Sequence, residues 1–392
     1  MTPQRKDVLL IGLGGIGAVY ALALKRSGRV YLSVVARSNF DAVQKNGLTF
    51  RSDKHGDHIK GWKPDRLLRS VSDAADRGYD YIFVATKVVP EILTTEKMLA
   101  PILTQSYTEK FGQPVYILLQ NGIGVEKGLA TEIADVEREV SKGSGRGQVF
   151  DEKRPRIVST CVYCMGNLIQ PDMVEYVEGH RLTVGVYRPD DLMTTQNSPE
   201  EAVVLNDLKS LLEAGGAGVD IVPEIQRQKM RKNMLNLAFA TFATLSNHTV
   251  PCIFRPPPPD PSKDFYEPYV HHATAHLIEE FTIPNIRAVL TEAVSVGHAL
   301  GLSDTEDGLP SSTVPRFLEY VRNNHLDPKN NHAPSMLLDM RQGKPMEVEV
   351  ILGEVVRLAK RVGVDIPRIE MMYAILLVVQ NQILRNLAIG RS

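Results

Sequence analysis

The sequence predicts an α/β N-terminal domain followed by an all-α C-terminal domain. Three observations predict it. Val8-Leu9-Leu10-Ile11 is an unbroken apolar run, as a strand buried on both faces requires. Gly12-Leu13-Gly14-Gly15-Ile16-Gly17 follows at once with the spacing G-x-G-x-x-G, and Ala18 to Arg26 then reads as a helix closed by Gly28. From Pro223 onward, short apolar strands cease and helical periods take over.

The glycines have separate physical tasks. Gly12 permits the tight strand-to-helix turn, Gly14 leaves bare backbone for a pyrophosphate, and Gly17 lets the helix pack close to the strand. The helix N-terminus offers unpaired N–H groups and partial positive charge to phosphate. Strand, turn and helix in this order define a Rossmann-type dinucleotide-binding turn, with residues 12 to 17 as cofactor-contacting positions. The competing reading is a glycine-rich turn that binds nothing.

Composition bounds the remainder. The 392 residues are 43% hydrophobic and 23% charged, with a formal net charge of −1. That length is ample for two cores, and the charge gives no field that favours nucleic acid or an anionic membrane. Residues 1 to 7 contain no apolar h-region, so no secretory signal is expected. The apolar run Met371 to Val379 is too short to span a bilayer. Three cysteines fit a reducing compartment, and a cytoplasmic location is expected. Cys161 and Cys164 form C-x-x-C without the second ligand pair that zinc needs. They also sit in a strand-like run, whereas a redox pair should open a helix, so a buried pair of small residues is expected.

Taken in order, Tyr31 to Ala36 reads as the second strand, with Arg37 at its end. An NAD site would place Asp or Glu about here, ~20 residues after the glycines. Arginine instead suits a 2′-phosphate, because its planar fork pairs with phosphate oxygens. Arg37, helped by Ser38 and Asn39, therefore predicts NADP(H); a merely solvated strand end is the alternative. Phe40 to Asn46 reads as a helix, Leu48 to Arg51 as a strand, and Lys54 to Lys63 as an exposed loop or hairpin. Tyr81 to Thr86 is a buried strand with Lys87 at its carboxyl end, where ligands of open α/β sheets collect. Glu91 to Leu99 reads as a helix. Val115 to Leu119 is a strand running into Gln120-Asn121-Gly122-Ile123-Gly124. Ile133 to Arg154 reads as a charged surface insertion. Ile157 to Tyr163, Val174 to Val177 and Leu182 to Tyr187 read as strands, the last two joined through Glu178-Gly179-His180. Pro199 to Ala214 is helical, and Val219 to Val222 an edge strand.

The domains are expected at 1–222 and 223–392. In the second, Gln226 to Leu245 reads as one long helix, and Arg255 to Pro261 as a proline-rich surface loop. Ile278 to Leu300 is helical with a kink or break at Pro284. Thr313 to Asn323, Val348 to Val362 and Ile369 to Leu384 complete the helices.

Five pieces together resemble the ketopantoate reductase (2-dehydropantoate 2-reductase) family: the glycine turn, Thr86-Lys87, Leu119 to Gly124, Arg231-Lys232 with Asn236, and Pro334 to Gly343 followed by Glu347-Val348-Glu349. The resemblance runs from the first strand to the last helices, with insertions near 131–155, 254–264 and 323–333. It implies NADPH-dependent reduction of the 2-oxo acid 2-dehydropantoate to pantoate. It implies Lys87 near the adenosine phosphate, and Asn121 at the nicotinamide and substrate. Lys232 would be the catalytic lysine, Asn236 and Ser335 substrate ligands, and Glu347 an active-site carboxylate. A homodimer is compatible with the sequence, which does not itself fix the oligomeric state.

Those residue types suit the chemistry. Hydride addition leaves negative charge on the carbonyl oxygen, which needs a positioned donor and finally a proton. A lysine ammonium supplies both, and preorganised donors of this kind are worth roughly 3–4 kcal/mol each. Asn236 lies at i+4 from Lys232 on one helix face. Simpler alternatives stand beside these roles. Lys229, Arg231 and Lys232 could form a solvated basic face, Ser335 could be an N-cap, and Glu347 could merely begin a helix. One departure matters: the resemblance leads one to expect a second asparagine four residues after the first, and here that position is Ala240. Either Asn247 or Thr244 substitutes for it or the substrate differs. The alternatives are accordingly a reductase of another 2-oxo acid, ketone or imine, and a non-catalytic NADP sensor.

Overall fold

The computed structural model describes residues 5–52, 58–143, 154–177, 180–260, 262–263, 265–331 and 333–390. It comprises two compact units, Met1–Gln228 and Lys229–Ser392. The division falls inside the helix Ile225–Leu235, a few residues later than the boundary expected at 222/223.

The first unit holds twelve strands among its described residues: β1 Lys6–Ile11, β2 Val30–Val35, β3 Leu48–Arg51, β4 His58–Trp62, β5 Arg66–Leu68, β6 Tyr81–Val84, β7 Val115–Leu118, β8 Ile157–Tyr163, β9 Gly166–Gln170, β10 Met173–Tyr176, β11 Arg181–Val186 and β12 Gly218–Ile221. Eight form the main sheet in the order β12-β11-β8-β7-β6-β1-β2-β5. All its neighbours run parallel except β8 and β11. Strand order therefore reverses at β1, with β2 on one side and β6 on the other. This is the switch point at which the carboxyl ends of a doubly wound sheet leave a crevice.

Burial explains why the strands read as continuous apolar runs. Val8, Leu9 and Leu10 are fully enclosed, and each such side chain contributes about 1.5–3 kcal/mol. The helix Gly15–Arg26 packs Ala18 to Leu24 into the same core as β1 and β2. β12 is an edge strand of the main sheet, as expected.

The smaller sheet, β4-β3-β10-β9, was only half legible. Val174 to Val177 and Leu182 to Tyr187, consecutive in sequence, fall in different sheets: β10 pairs with β3 and β9, and β11 with β8 and β12. The Glu178-Gly179 part of the link proposed between them lies outside the described residues. Two further expectations change. The Glu91–Leu99 helix is confined to Thr95–Leu99, because Val88 to Thr94 includes an isolated bridge between Val89 and Leu93. The expected insertion from Ile133 begins as helix, Lys127–Gly143, with Leu129, Ile133, Val136 and Val140 buried; residues 144–153 lie outside the described set.

The second unit is helical, as expected. Its long segments are Ile283–Ala299, Thr313–Leu326, Glu354–Val362 and Pro367–Ala388. Three of its helices contain a wide turn with i→i+5 hydrogen bonding, at Asn236–Ala240, Ile278–Thr282 and Glu349–Gly353. The one at Ile278–Thr282 immediately precedes Pro284, where the sequence predicted a kink. Arg255, fully buried at the start of the proline-rich run, donates to the carbonyls of His325, Asp327 (2.8 Å) and Asn330 (2.5 Å).

Candidate active site

The first unit gathers its candidate residues at the carboxyl ends of four adjacent parallel strands. The glycine turn follows β1, Arg37 follows β2, Thr86-Lys87 follows β6, and Gln120-Asn121 follows β7. Gly12 has φ +97°, a conformation side chains rarely adopt, and a Cβ there would lie 2.9 Å from the Thr86 methyl. A Cβ on Gly17 would lie 1.8 Å from the Gly12 carbonyl oxygen, so turn and helix must approach through bare backbone. Gly14 is the opposite case. A Cβ there would meet nothing within 4 Å.

No side chain caps the Gly15–Arg26 helix, and no acidic residue stands in its first turn. Its first-turn N–H groups thus have no side-chain cap, and Gly14 before them is exposed, an arrangement that suits a dinucleotide pyrophosphate. Arg37 is exposed and has no hydrogen-bond or ion-pair partner among the described residues. Both features fit the cofactor. Gly15 has another reason to be glycine: its Cβ would lie 2.1 Å from the carbonyl oxygen of Gly166 in β9. The smaller sheet therefore rests on the start of this helix.

Two side chains hold the turn region. Asn39 is buried and donates from Nδ2 to the Leu13 carbonyl at 2.9 Å. It braces the glycine turn, a different role from the phosphate contact expected of it. Gln120, also buried, donates to the Thr86 carbonyl and to Thr95 Oγ1, each at 3.2 Å. It fixes the residue preceding Lys87, which is exposed, while Asn121 is half-buried. Sequence reasoning passed over Gln120; its place immediately before Asn121 at a strand end was the available signal.

The second unit carries the other candidates. Lys229 is buried and Lys232 half-buried, so the basic residues of this helix do not form one solvated face. The expected Gln226–Leu245 helix is observed as Ile225–Leu235, the wide turn Asn236–Ala240, and Thr241–Ser246. The side-chain amide of Asn236 has no partner among the described residues. Glu347 is buried and accepts, through its carbonyl, the first helical bond from Ile351 N–H at 3.2 Å. Asn233, next to Lys232, donates to the Ile351 carbonyl at 2.9 Å. The Lys232 helix and the segment bearing Glu347 are thereby fastened within one unit.

Ser335 is the first residue of the helix Ser335–Arg341 and makes no capping bond; Pro334 precedes it as the cap residue. Both proposed replacements for the residue missing at Ala240 already have partners, although Asn247 is exposed and only its oxygens are engaged. Thr244 Oγ1 donates to the Ala240 carbonyl at 2.7 Å, and Asn247 Oδ1 accepts from Arg341 Nε at 2.8 Å. The C-x-x-C pair falls on β8 and just beyond it, and the described residues contain no group of three or more metal-ligating side chains. No helix among them is long and apolar enough to cross a membrane.

An open helix N-terminus beside an unpaired arginine is what a phosphorylated dinucleotide needs, and the class built around such a crevice is the nicotinamide-dependent oxidoreductases. The comparisons narrow that class. Residues 8–189 match the family described as ketopantoate reductase PanE/ApbA, and residues 273–380 its C-terminal counterpart. Together these matches span more than half of the chain, which belongs to the ketopantoate reductase family. An uncharacterized protein of Saccharomyces cerevisiae is 28% identical over 385 residues, covering 95% of this chain and 93% of the relative. The fold is also that of 2-dehydropantoate 2-reductase from Methylococcus capsulatus (TM-score 0.69, 23% identity, 96% of this chain and 97% of that one). It is shared with a D-mandelate dehydrogenase solved with NADH and anilino(oxo)acetate (TM-score 0.69, 18% identity, 96% of this chain and 99% of that one).

Proposed function

We propose that the protein reduces a short branched 2-oxo acid to the 2-hydroxy acid with NADPH, the class to which 2-dehydropantoate belongs. The observation that carries the reading is the fastening of the Lys232 helix to the Glu347 segment through Asn233 and Ile351. A protein that only sensed the cofactor would have no need to preorganise this second set.

When bound, NADPH supplies the hydride that adds to the C2 carbonyl. The glycine turn and the helix N-terminus hold the pyrophosphate, and Arg37 pairs with the 2′-phosphate. Lys232 donates a hydrogen bond to the carbonyl oxygen, stabilises the charge that develops there, and gives up a proton to it. Glu347 orients the ammonium, and Asn236 and Ser335 hold the substrate. A homodimer accords with this reading, and a dimeric ketopantoate reductase of Staphylococcus aureus shares the fold (TM-score 0.62). Loss of reduced-nicotinamide absorbance on mixing protein, NADPH and a panel of 2-oxo acids tests the proposal. Tight NADPH binding without turnover of any carbonyl would leave the sensor reading in its place.

A second reading, that the substrate differs from 2-dehydropantoate itself, is favoured by Ala240.

A further inference from the structure

Arg37 has a neighbouring arginine. β2 and β5 run parallel at one edge of the main sheet, with Val35 opposite Leu68, and the Ala36 N–H donates to the Leu68 carbonyl at 3.0 Å. Arg37 and Arg69 therefore stand just past the carboxyl ends of two strands that lie about 5 Å apart. The chain beyond Arg37 is tied to the glycine turn, since Asn39 donates to the Leu13 carbonyl at 2.9 Å. Arg69 is held as a plane. Its guanidinium carbon lies 4.0 Å from the centroid of the Phe40 ring, and its Nη1 and Nη2 donate to Asp41 Oδ2 and Oδ1 at 3.3 and 2.5 Å. Ser70, the next residue, exchanges hydrogen bonds with Asp73 and fixes the backbone there. One face of the guanidinium thus rests on Phe40 and one edge on Asp41, while the side chain stays 59% exposed. Its fork is already engaged by a carboxylate, so it is poorly placed to take a phosphate; the face turned away from Phe40 is what it has left to offer.

Resting on the function proposed above, we infer that Arg69, backed by Phe40 and steered by Asp41, is the shelf on which the adenine of the cofactor stacks. A dinucleotide whose pyrophosphate lies on the turn after β1 brings its adenosine ribose to the end of β2. The base leaves that ribose at C1′, the carbon next to the one bearing the 2′-phosphate, so a group beside Arg37 is within the base's reach. Guanidinium planes stack on aromatic rings, and a cation over a π-face is attracted to it. Stacking is indifferent to the 2′ substituent. Arg37 therefore distinguishes the two nicotinamide dinucleotides, and Arg69 serves both.

The test titrates the full chain with NADPH and with NADH, follows reduced-nicotinamide fluorescence, and compares the wild type with Arg69→Ala and Arg69→Lys. Arg69→Ala should raise Kd for both dinucleotides by the same factor, about tenfold, the order that stacking of one base supplies. Arg69→Lys keeps the charge without the plane and should lose about as much. Wild-type affinity in Arg69→Lys would show that charge alone matters and overturn the shelf. A loss in Arg69→Ala confined to NADPH would make Arg69 a phosphate ligand and overturn it equally, as would no loss with either cofactor. Failure of the wild type to bind NADPH at all would overturn the proposed function itself and this inference with it.

Discussion

The side-chain amide of Asn233 donates a 2.9 Å hydrogen bond to the backbone carbonyl of Ile351, a residue inside the wide turn Glu349–Gly353. Wide turns displace carbonyls from the regular helical ladder, and buried carbonyls need partners. The companion turn is treated similarly, since Thr241 donates to the Asn236 carbonyl. Asn233 therefore does two things at once: it satisfies a displaced carbonyl and sets the Lys232 helix against the chain just after Glu347.

Asn233→Ala should remove about 1–3 kcal/mol of stability, the cost of leaving a buried acceptor unsatisfied. Melting temperature should fall by about 2–4 °C per kcal/mol for a unit of this size. If the fastening positions the proton donor, kcat should also fall while NADPH affinity stays unchanged. Thermal unfolding and NADPH titration separate the two effects.

The glycine turn yields a paired prediction. Gly14→Ala should fold normally, because a Cβ there meets nothing within 4 Å, yet bind NADPH poorly because the methyl group occupies the phosphate's space. Gly15→Ala should instead be destabilised, its Cβ placed 2.1 Å from the Gly166 carbonyl oxygen. Melting temperature and cofactor affinity, measured on both variants, should move in opposite patterns.

Arg37→Ala should weaken NADPH by about ten- to hundredfold, the worth of charge-assisted hydrogen bonds to phosphate, and leave NADH almost unchanged. Equal losses with both cofactors would remove the 2′-phosphate from Arg37's role. Asn39→Ala should weaken both cofactors alike by about fivefold, since it loosens the turn through one hydrogen bond of about 1 kcal/mol.

Cys164 supplies a pH-dependent prediction. Burial pushes its thiol up to about 12. Because the thiolate is the reactive form, alkylation should be slow at pH 8 and accelerate only as pH climbs toward that value. A raised value in the folded state also means that the neutral thiol's contribution to stability is present below the ordinary thiol range and lost above it. Mass-spectrometric labelling rates at Cys164 between pH 7 and 10 check this; fast labelling at pH 7 would mark a redox-competent C-x-x-C.

What could be read beforehand follows physical scale. β1, β6 and β7 are enclosed on both faces, so local composition had to announce them, and the glycine spacing announced the turn. β10 was read as a strand, whereas the five largely exposed residues of β9 carried little local signal, and the pairing of β10 with β3 joins residues far apart in sequence. Lys232, Asn236, Ser335 and Glu347 were singled out only through resemblance, because a lysine on a helix is ordinary by itself. Asn39 was misassigned and Gln120 and Asn233 overlooked for one reason. Each acts through buried hydrogen bonds to residues distant in sequence, and no periodicity records such bonds.

The most direct test is single-turnover oxidation of bound NADPH by a turned-over 2-oxo acid, in the wild type and in Lys232→Ala. The rate should fall by about 10²–10⁴-fold, the range general acid catalysis contributes, with NADPH affinity nearly unchanged. A Lys232→Ala variant that oxidises NADPH at close to the wild-type rate would contradict the account.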